Sequence, residues 1–484
     1  MWQLIKDNLW GFLIALNYLL VIIAAFTIIL KNVNPTRTLS YLVILAVFPF
    51  LGLIVYYFFG QEYRKSKIFD RKNVLNQKKI KKWRSSLSID KEQLEAFRTE
   101  RMQDKAKVIE LIHNSDLSPL TVRNKVELLI NGEEKFKRLF EDIRNAKECV
   151  HLEYYIFRDD DIGSKLIDIL CEKASEGIKV RIDYDYVGSS FSRATRNRMA
   201  GKGIEFFPFM PVYFPRFTSK LNYRNHRKIA VIDGTIGYVG GINIGDEYVN
   251  GEGKRYWRDT HLRIEGEGVG MLQLHFALNW DFVTDDELEV EDNWFPDVEV
   301  ESEVGVQIAA SGPDTDWAHI MEALFMAITA ADDYIYISTP YFIPNDEIVT
   351  ALVAASKSGV QIKLIIPQRS DSYFARYASF SYIETMLRAG IEVYLYEKGV
   401  IHSKVMVIDD VLSSLGTTNI DYRSFKINFE INAFIYNEDI AHKVRNMFNN
   451  DLQESRKVDP EEWFDRSLTQ RIQESVCRLF APIL

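Results

Sequence analysis

Hydrophobic positions fall into distinct regimes along the chain. Residues 9–30, LWGFLIALNYLLVIIAAFTIIL, and 39–59, LSYLVILAVFPFLGLIVYYFF, each run without a charge. Each is long enough to cross the ~30 Å hydrocarbon core of a bilayer as a helix. Pro49 should kink the second run without excluding it, since membrane helices tolerate proline. The connection KNVNPTRT is short, so residues 1–60 are expected to form a two-helix transmembrane hairpin. A cleaved signal peptide does not fit, because the first run is too long and a second follows it. Residues 61–115 lose the apolar runs and are expected to be a juxtamembrane linker.

From about residue 133 the pattern becomes that of alternating helices and strands, and it occurs twice. KFKRLFEDIRNAKECVHLEYYIFRDDDIGSKLIDILCEKASEGIKVRIDYD has its counterpart in HIMEALFMAITAADDYIYISTPYFIPNDEIVTALVAASKSGVQIKLIIPQ. Each reads helix, strand, aromatic turn (at Tyr155 and Tyr341), helix, then a strand after glycine, with apolar spacings of three to four in the helices and short β-branched runs in the strands. GIEFF at 203 and GIEVY at 390 follow. This pattern predicts an α/β fold of two pseudo-symmetric halves, 116–300 and 301–484, each with a buried, largely parallel sheet. In the tail, Leu468, Ile472, Val476, Leu479 and Ile483 share one helical stripe, expected to pack on the body rather than on a membrane. The aromatic, proline-broken FFPFMPVYFPRF at 206–217 reads either as a packed connection or as a loop dipping into a bilayer interface.

Charge sharpens this division. Residues 1–84 carry 13 Lys/Arg against 3 Asp/Glu, and the rest of the chain carries 46 against 65. Ten of the basic residues lie within 61–84, which places that flank, the body and the N-terminus on the cytoplasmic side of the cell membrane. The flank also suits anionic headgroups, or serves only as a solvated stop-transfer segment. An acidic body argues against nucleic acid as a partner. Cys149, Cys171 and Cys477 show no metal spacing and do not pair evenly, so they read as buried thiols.

The candidate chemistry also comes twice. NHRKIAVIDGTIGYVGGIN (225–243) and IHSKVMVIDDVLSSLGTTN (401–419) both read His-x-Lys, four residues, Asp, six residues, Gly-x-x-Asn. In a strand, His226 and Lys228 point to one face, Asp233-Gly234 signals a tight turn, and Gly240-Gly241 permits close approach near Asn243. His402, Lys404, Asp409 and Asn419 repeat the set, except that Gly416 is followed by threonine. Two ammonium groups and two amides around one site would hold a phosphodiester and its phosphorane. Two histidines supply a nucleophile and a general acid/base. A lysine two residues from each histidine disfavours a metal, and no cofactor is expected. His113, His151, His261, His275, His319 and His442 lack such partners and read as structural or surface residues.

This constellation resembles the phospholipase D superfamily over roughly residues 130–445. The N-terminal spans, the basic flank, YWRDTHLRIEG (256–266) and NFEIN (428–432) make it similar to bacterial cardiolipin synthases. The resemblance implies two phospholipase D-like halves and phosphatidyl transfer between two phosphatidylglycerol molecules, giving cardiolipin and glycerol through a phosphohistidine. It implies attack by His226 and acid/base work by His402, with Asp259 and Glu430 each orienting one imidazole. It also makes Asp233 and Asp409 more structural than the rest of the catalytic set. Phosphatidylglycerol and anionic membrane lipid are the implied partners. A hydrolase using the same site, or a non-catalytic scaffold, remains the alternative reading of the motifs.

Overall fold

A computed structural model describes residues 9–30, 35–59, 102, 105–116, 118–211, 223–284, 290–315 and 317–481. They fall into two compact units, the N-terminal helices and the body. In the N-terminal unit, Leu9–Leu30 is one apolar helix long enough to cross a membrane, and it alone reaches that length among the described residues. The second expected span is not one helix. It divides into Pro35–Val47 and Pro49–Phe59, because Pro49 lacks the N–H that would continue the ladder. Ala24 and Ile28 of the first helix pack with Leu45, and Tyr41 meets Tyr56 edge-on at 5.9 Å. Most of the expected basic linker, with KKIKKWR, lies outside the described residues.

In the body, the first half builds β1 (Asn124–Ile130), β2 (Cys149–Tyr154), β3 (Lys179–Asp185), β4 (Glu205–Phe209), β5 (Lys228–Ile232), β6 (Ile236–Gly240), the short β7 (Trp257–Arg258) and β8 (Thr260–Gly266). The second builds β9 (Gly305–Ser311), β10 (Tyr334–Ser338), β11 (Phe342–Ile343), β12 (Gln361–Pro367), β13 (Glu392–Tyr396), β14 (Val400–Ile401), β15 (Val405–Ile408), β16 (Leu412–Gly416), β17 (Ile420–Asp421), β18 (Glu430–Tyr436) and β19 (Ser455–Lys457). The first sheet runs β4-β3-β2-β5-β6-β8-β1, and the second repeats that order as β13-β12-β10-β15-β16-β18-β9, with β19 added beyond β13. The duplication read from the sequence is therefore a duplication of topology.

The expectation of largely parallel sheets is corrected. Only β2–β3, β3–β4, β10–β12 and β12–β13 are parallel within the two large sheets; their other pairs are antiparallel. Helical crossovers such as Asp161–Ser175 and Asp346–Lys357 supply the parallel pairs. The motif segments fold instead as hairpins, β5–β6 and β15–β16. Each tight turn demands positive φ, met by Asp233 (52°) and Gly234 (64°) in one half and by Asp409 (51°) and Asp410 (57°) in the other. The second turn manages without glycine because aspartate tolerates this region better than most residues.

The sheets share a central core in which Ile229, Val231 and Leu262 meet Val405, Leu415 and Ile431. The helices Val269–Thr284 and Glu438–Gln453 contribute to the same core. Outer helices close a separate core over each half. Cys149, Cys171 and Cys477 are buried and unpaired. Of the aromatic stretch at 206–217, Phe206–Phe209 belongs to β4, while 212–217 lies outside the described residues. The tail helix Leu468–Arg478 does rest on the body, but not by its apolar stripe: Glu474 and Cys477 face inward, and Leu468, Ile472, Val476 and Leu479 are exposed. Ile483 lies outside the described residues.

Candidate active site

Two short crossings join the halves and build the site. β7 pairs in parallel with β14, and the His402 amide donates to the Arg258 carbonyl at 2.7 Å. In the mirror arrangement Asn225 bridges Phe429, and the His226 amide donates to the Phe429 carbonyl at 2.9 Å. Each histidine is thus tied to the residue just before a carboxylate of the other half. The side chains follow: His402 Nδ1 lies 2.6 Å from Asp259 Oδ2, and His226 Nδ1 lies 2.9 Å from Glu430 Oε2. With Nδ1 engaged by a carboxylate, Nε2 is the nitrogen left for chemistry, that of His402 lying 3.1 Å from Lys404 Nζ.

The lysines lie against the same histidines. Lys228 Nζ donates to the His226 carbonyl at 2.6 Å, and Lys404 Nζ sits 2.8 Å from His402 Nδ1. Burial lowers the Lys228 ammonium to about 7 and the Lys404 ammonium to about 8. Burial, reinforced by Lys228, Lys404 and His402, holds His226 well below the ordinary imidazole range. The two half-sites therefore feel each other electrostatically, and the neutral form of His226 is favoured.

The halves are not electrostatically equal. Burial pushes Glu430 up to about 7 against the pull of Lys228. Asp259 is equally enclosed, yet Lys404, His402 and the Thr260 amide outweigh burial and keep it below the usual carboxylate range. His402 is lowered by burial and Lys404, with Asp259 opposing both. The carboxylate behind His402 is thus held toward its ionised form, while burial raises the one behind His226.

The remaining motif residues take other places. Asp233 accepts from the amides of Lys147 (2.8 Å), Glu148 (2.8 Å) and Cys149 (3.0 Å). Asp409 accepts from Asp332, Asp333 and Tyr334, and pairs with buried Lys105 at 2.8 Å. Both stand at the far end of a strand from the histidine, roughly 20 Å along the chain at ~3.3 Å per residue, so they brace the fold and do not touch the reacting groups. Asn243 spends its amide internally, accepting from Ile156 at 3.1 Å and donating to Tyr248 at 2.7 Å. Asn419 is buried with its Oδ1 unpartnered.

A family model described as cardiolipin synthase, PLD-like domain, matches residues 139–258 and again 324–452. A second, described as phospholipase D-nuclease N-terminal, matches 19–61. The cardiolipin synthase of Geobacillus sp. (strain WCH70) is 42% identical over 468 residues, 96% of this chain and 92% of its own length. Cardiolipin synthase 2 of Bacillus anthracis is 40% identical over 94% of this chain and 88% of its own. The chain belongs to the cardiolipin synthase family of phospholipase D-like proteins. Among solved structures, the phosphatidylserine synthase of Haemophilus influenzae Rd KW20 superposes with a TM-score of 0.58 at 16% identity, over 78% of this chain and all of that one. That likeness concerns the fold.

Within the cardiolipin synthase framework, the one departure between the motifs has a physical reason. A Cβ on Gly241 would stand 2.1 Å from Asp259 Oδ1, so the first half needs glycine there. At the equivalent place in the second half, the Thr417 hydroxyl donates to Glu430 Oε2 at 2.5 Å. Thr417 went unassigned in the sequence reading, although its departure from the glycine of the first motif was the visible signal. Tyr155, edge-on to His226 at 5.0 Å, and Trp257, 5.2 Å from the His402 ring, were also unassigned. Trp257 lies in the quoted YWRDTHLRIEG stretch, but only the β7–β14 crossing reveals its neighbour.

Gly241→Ala should displace Asp259 from His402 and lower turnover about 100-fold, since a shift near 1 Å at a positioning group can cost that much. Steady-state kinetics of the membrane-reconstituted enzyme checks this; wild-type turnover in a folded variant would show that Asp259 need not stand against His402.

Proposed function

We propose that this chain is a phosphatidyltransferase that joins two phosphatidylglycerol molecules into cardiolipin and releases glycerol. The observation that carries the reading is the pair of imidazoles, each held by a carboxylate of the opposite half and each beside a lysine. His226 Nε2 attacks phosphorus, the bond from phosphorus to the headgroup glycerol oxygen breaks, and His402 gives that oxygen its proton. The headgroup hydroxyl of a second phosphatidylglycerol then attacks, His402 takes the proton, and the phosphorus–nitrogen bond breaks. Attack by His226 is supported by the stronger push on it toward the neutral form, and acid duty for His402 by Asp259, which opposes that push on its imidazole. Lys228 and Lys404 carry the non-bridging oxygens and bind more strongly as charge builds. Asn419, buried beside the lysines, is assigned to the same cradle through its amide N–H donors, and Asn243 to bracing it.

We further infer that residues 1–60 cross the cell membrane twice, the helices Pro35–Val47 and Pro49–Phe59 together making the second span, with termini and body cytoplasmic. The ten Lys/Arg of 61–84 support that orientation, and they and the body would meet anionic lipid there. Cysteine at Val33 should label from outside intact cells and cysteine at Lys443 only after permeabilisation; the reverse pattern would overturn the orientation.

Incubation of purified protein with labelled phosphatidylglycerol in vesicles should give cardiolipin and glycerol. Phosphatidic acid as sole product would make the protein a hydrolase. His402→Ala, given a phosphatidyl substrate whose headgroup leaves without protonation, should accumulate phosphatidyl-protein, and His226→Ala should accumulate none. An adduct mapped to His402 would exchange the two roles.

A further inference from the structure

The tail helix Leu468–Arg478 is mounted inside out. An amphipathic helix on a soluble body normally turns its apolar stripe inward. Here the inward face is held by charge: the Arg466 guanidinium donates to Glu474 Oε2 and to Glu384 Oε2, each at 2.9 Å, and Glu474, Cys477 and Ala481 are buried. The outward stripe is apolar, with Leu468 73% and Leu479 78% exposed and Ile472 and Val476 exposed between them.

The body extends this face. Phe480 meets Phe374 at 5.5 Å, and Phe374 meets Tyr373 at 5.8 Å; all three are exposed. Scattered apolar residues are ordinary on a protein surface, but a contiguous set of this size marks a surface with a partner. Two features choose the partner. First, Glu474 is consumed by Arg466, so the remaining charges of the helix are the exposed Arg471 and Arg478, which border the stripe while reaching the Phe464 carbonyl (3.3 Å) and the Tyr382 ring (4.4 Å), in a chain whose net charge is −9. An apolar stripe flanked by arginines fits the headgroup region of an anionic bilayer. Second, the face borders residues that act on the site. Tyr373 follows Asp371, whose carboxylate accepts from Tyr341 at 2.7 Å and acts electrostatically on His402.

We propose that the face formed by Leu468, Ile472, Val476, Leu479, Phe480 and Phe374 inserts into the headgroup region of an anionic bilayer. Resting on the phosphatidyl-transfer reading, it sets the His402 side of the site at the lipid surface, so that a headgroup reaches phosphorus chemistry while its acyl chains stay in the membrane. The tail thus acts as a second membrane contact, separate from the N-terminal spans.

The test uses the full chain in phosphatidylglycerol vesicles, with a fluorophore on a cysteine placed at Ile472 or Leu479. A control label goes at Lys443, an exposed residue on a helix lining the central core rather than the outer one. Lipids brominated near the headgroup should quench labels 472 and 479 at least threefold more than label 443. Equal quenching at all three would overturn the proposal. So would self-quenching between labelled copies without quenching by lipid, which would assign the face to a second copy of the chain. A triple variant, L468E/I472E/L479E, should lower the ratio of activity on vesicle lipid to activity on short-chain monomeric phosphatidylglycerol about tenfold; an unchanged ratio would overturn the proposal. The quenching result is readable even if the protein makes no cardiolipin, so failure of the proposed reaction and failure of the docking face are distinguishable.

Discussion

The site depends on an exchange: each half supplies an imidazole to the carboxylate of the other. A backbone bond fixes the exchange before any side chain acts, because His226 and His402 donate their amides to the carbonyls just ahead of Glu430 and Asp259. Neither half alone contains a histidine with its orienting carboxylate. Duplication is therefore a chemical requirement here, and it explains why one chain carries the same spaced residues twice. A buried imidazole without such a partner would lose its preferred tautomer and part of its orientation.

Burial sets the electrostatics of the exchange and also limits it. Two lysines, two histidines and two carboxylates share one enclosed volume, and each group charged alone would be costly there. The resolved directions show how the cost is spread: both lysines and both histidines are pushed toward neutrality, Glu430 is raised, and only Asp259 is held ionised. An arriving phosphodiester adds negative charge beside both lysines. Binding then favours their protonated forms, so the site is tuned for an anion rather than for its own resting state.

Much of this was legible in the sequence. The repeated helix–strand pattern, the hairpin turns at Asp233 and Asp409, and the motif histidines and lysines follow from periodicity and spacing. The proportion of parallel strands did not, because apolar strand runs look alike whichever way the neighbour points. The crossed pairing of Asp259 and Glu430 was equally hidden, since pseudo-symmetry makes each carboxylate chemically suited to either imidazole and only the β7–β14 and Asn225–Phe429 crossings decide it. The tail stripe misled for a different reason. Periodicity identifies an apolar face but not the side to which a buried Arg466–Glu474 pair will turn it.

The crossed pairing is tested most directly by the leaving-group dependence of adduct formation in two carboxylate variants. With His402 as the proposed acid, Asp259→Asn should slow single-turnover formation of phosphatidyl-protein by about 10²-fold or more with phosphatidylglycerol. It should largely recover with a p-nitrophenyl headgroup, which departs without a proton. With His226 as the proposed nucleophile, Glu430→Gln should stay slow with both substrates. Recovery in Glu430→Gln but not in Asp259→Asn, with the adduct mapped to His226, would contradict the assignment of each carboxylate to the histidine of the opposite half.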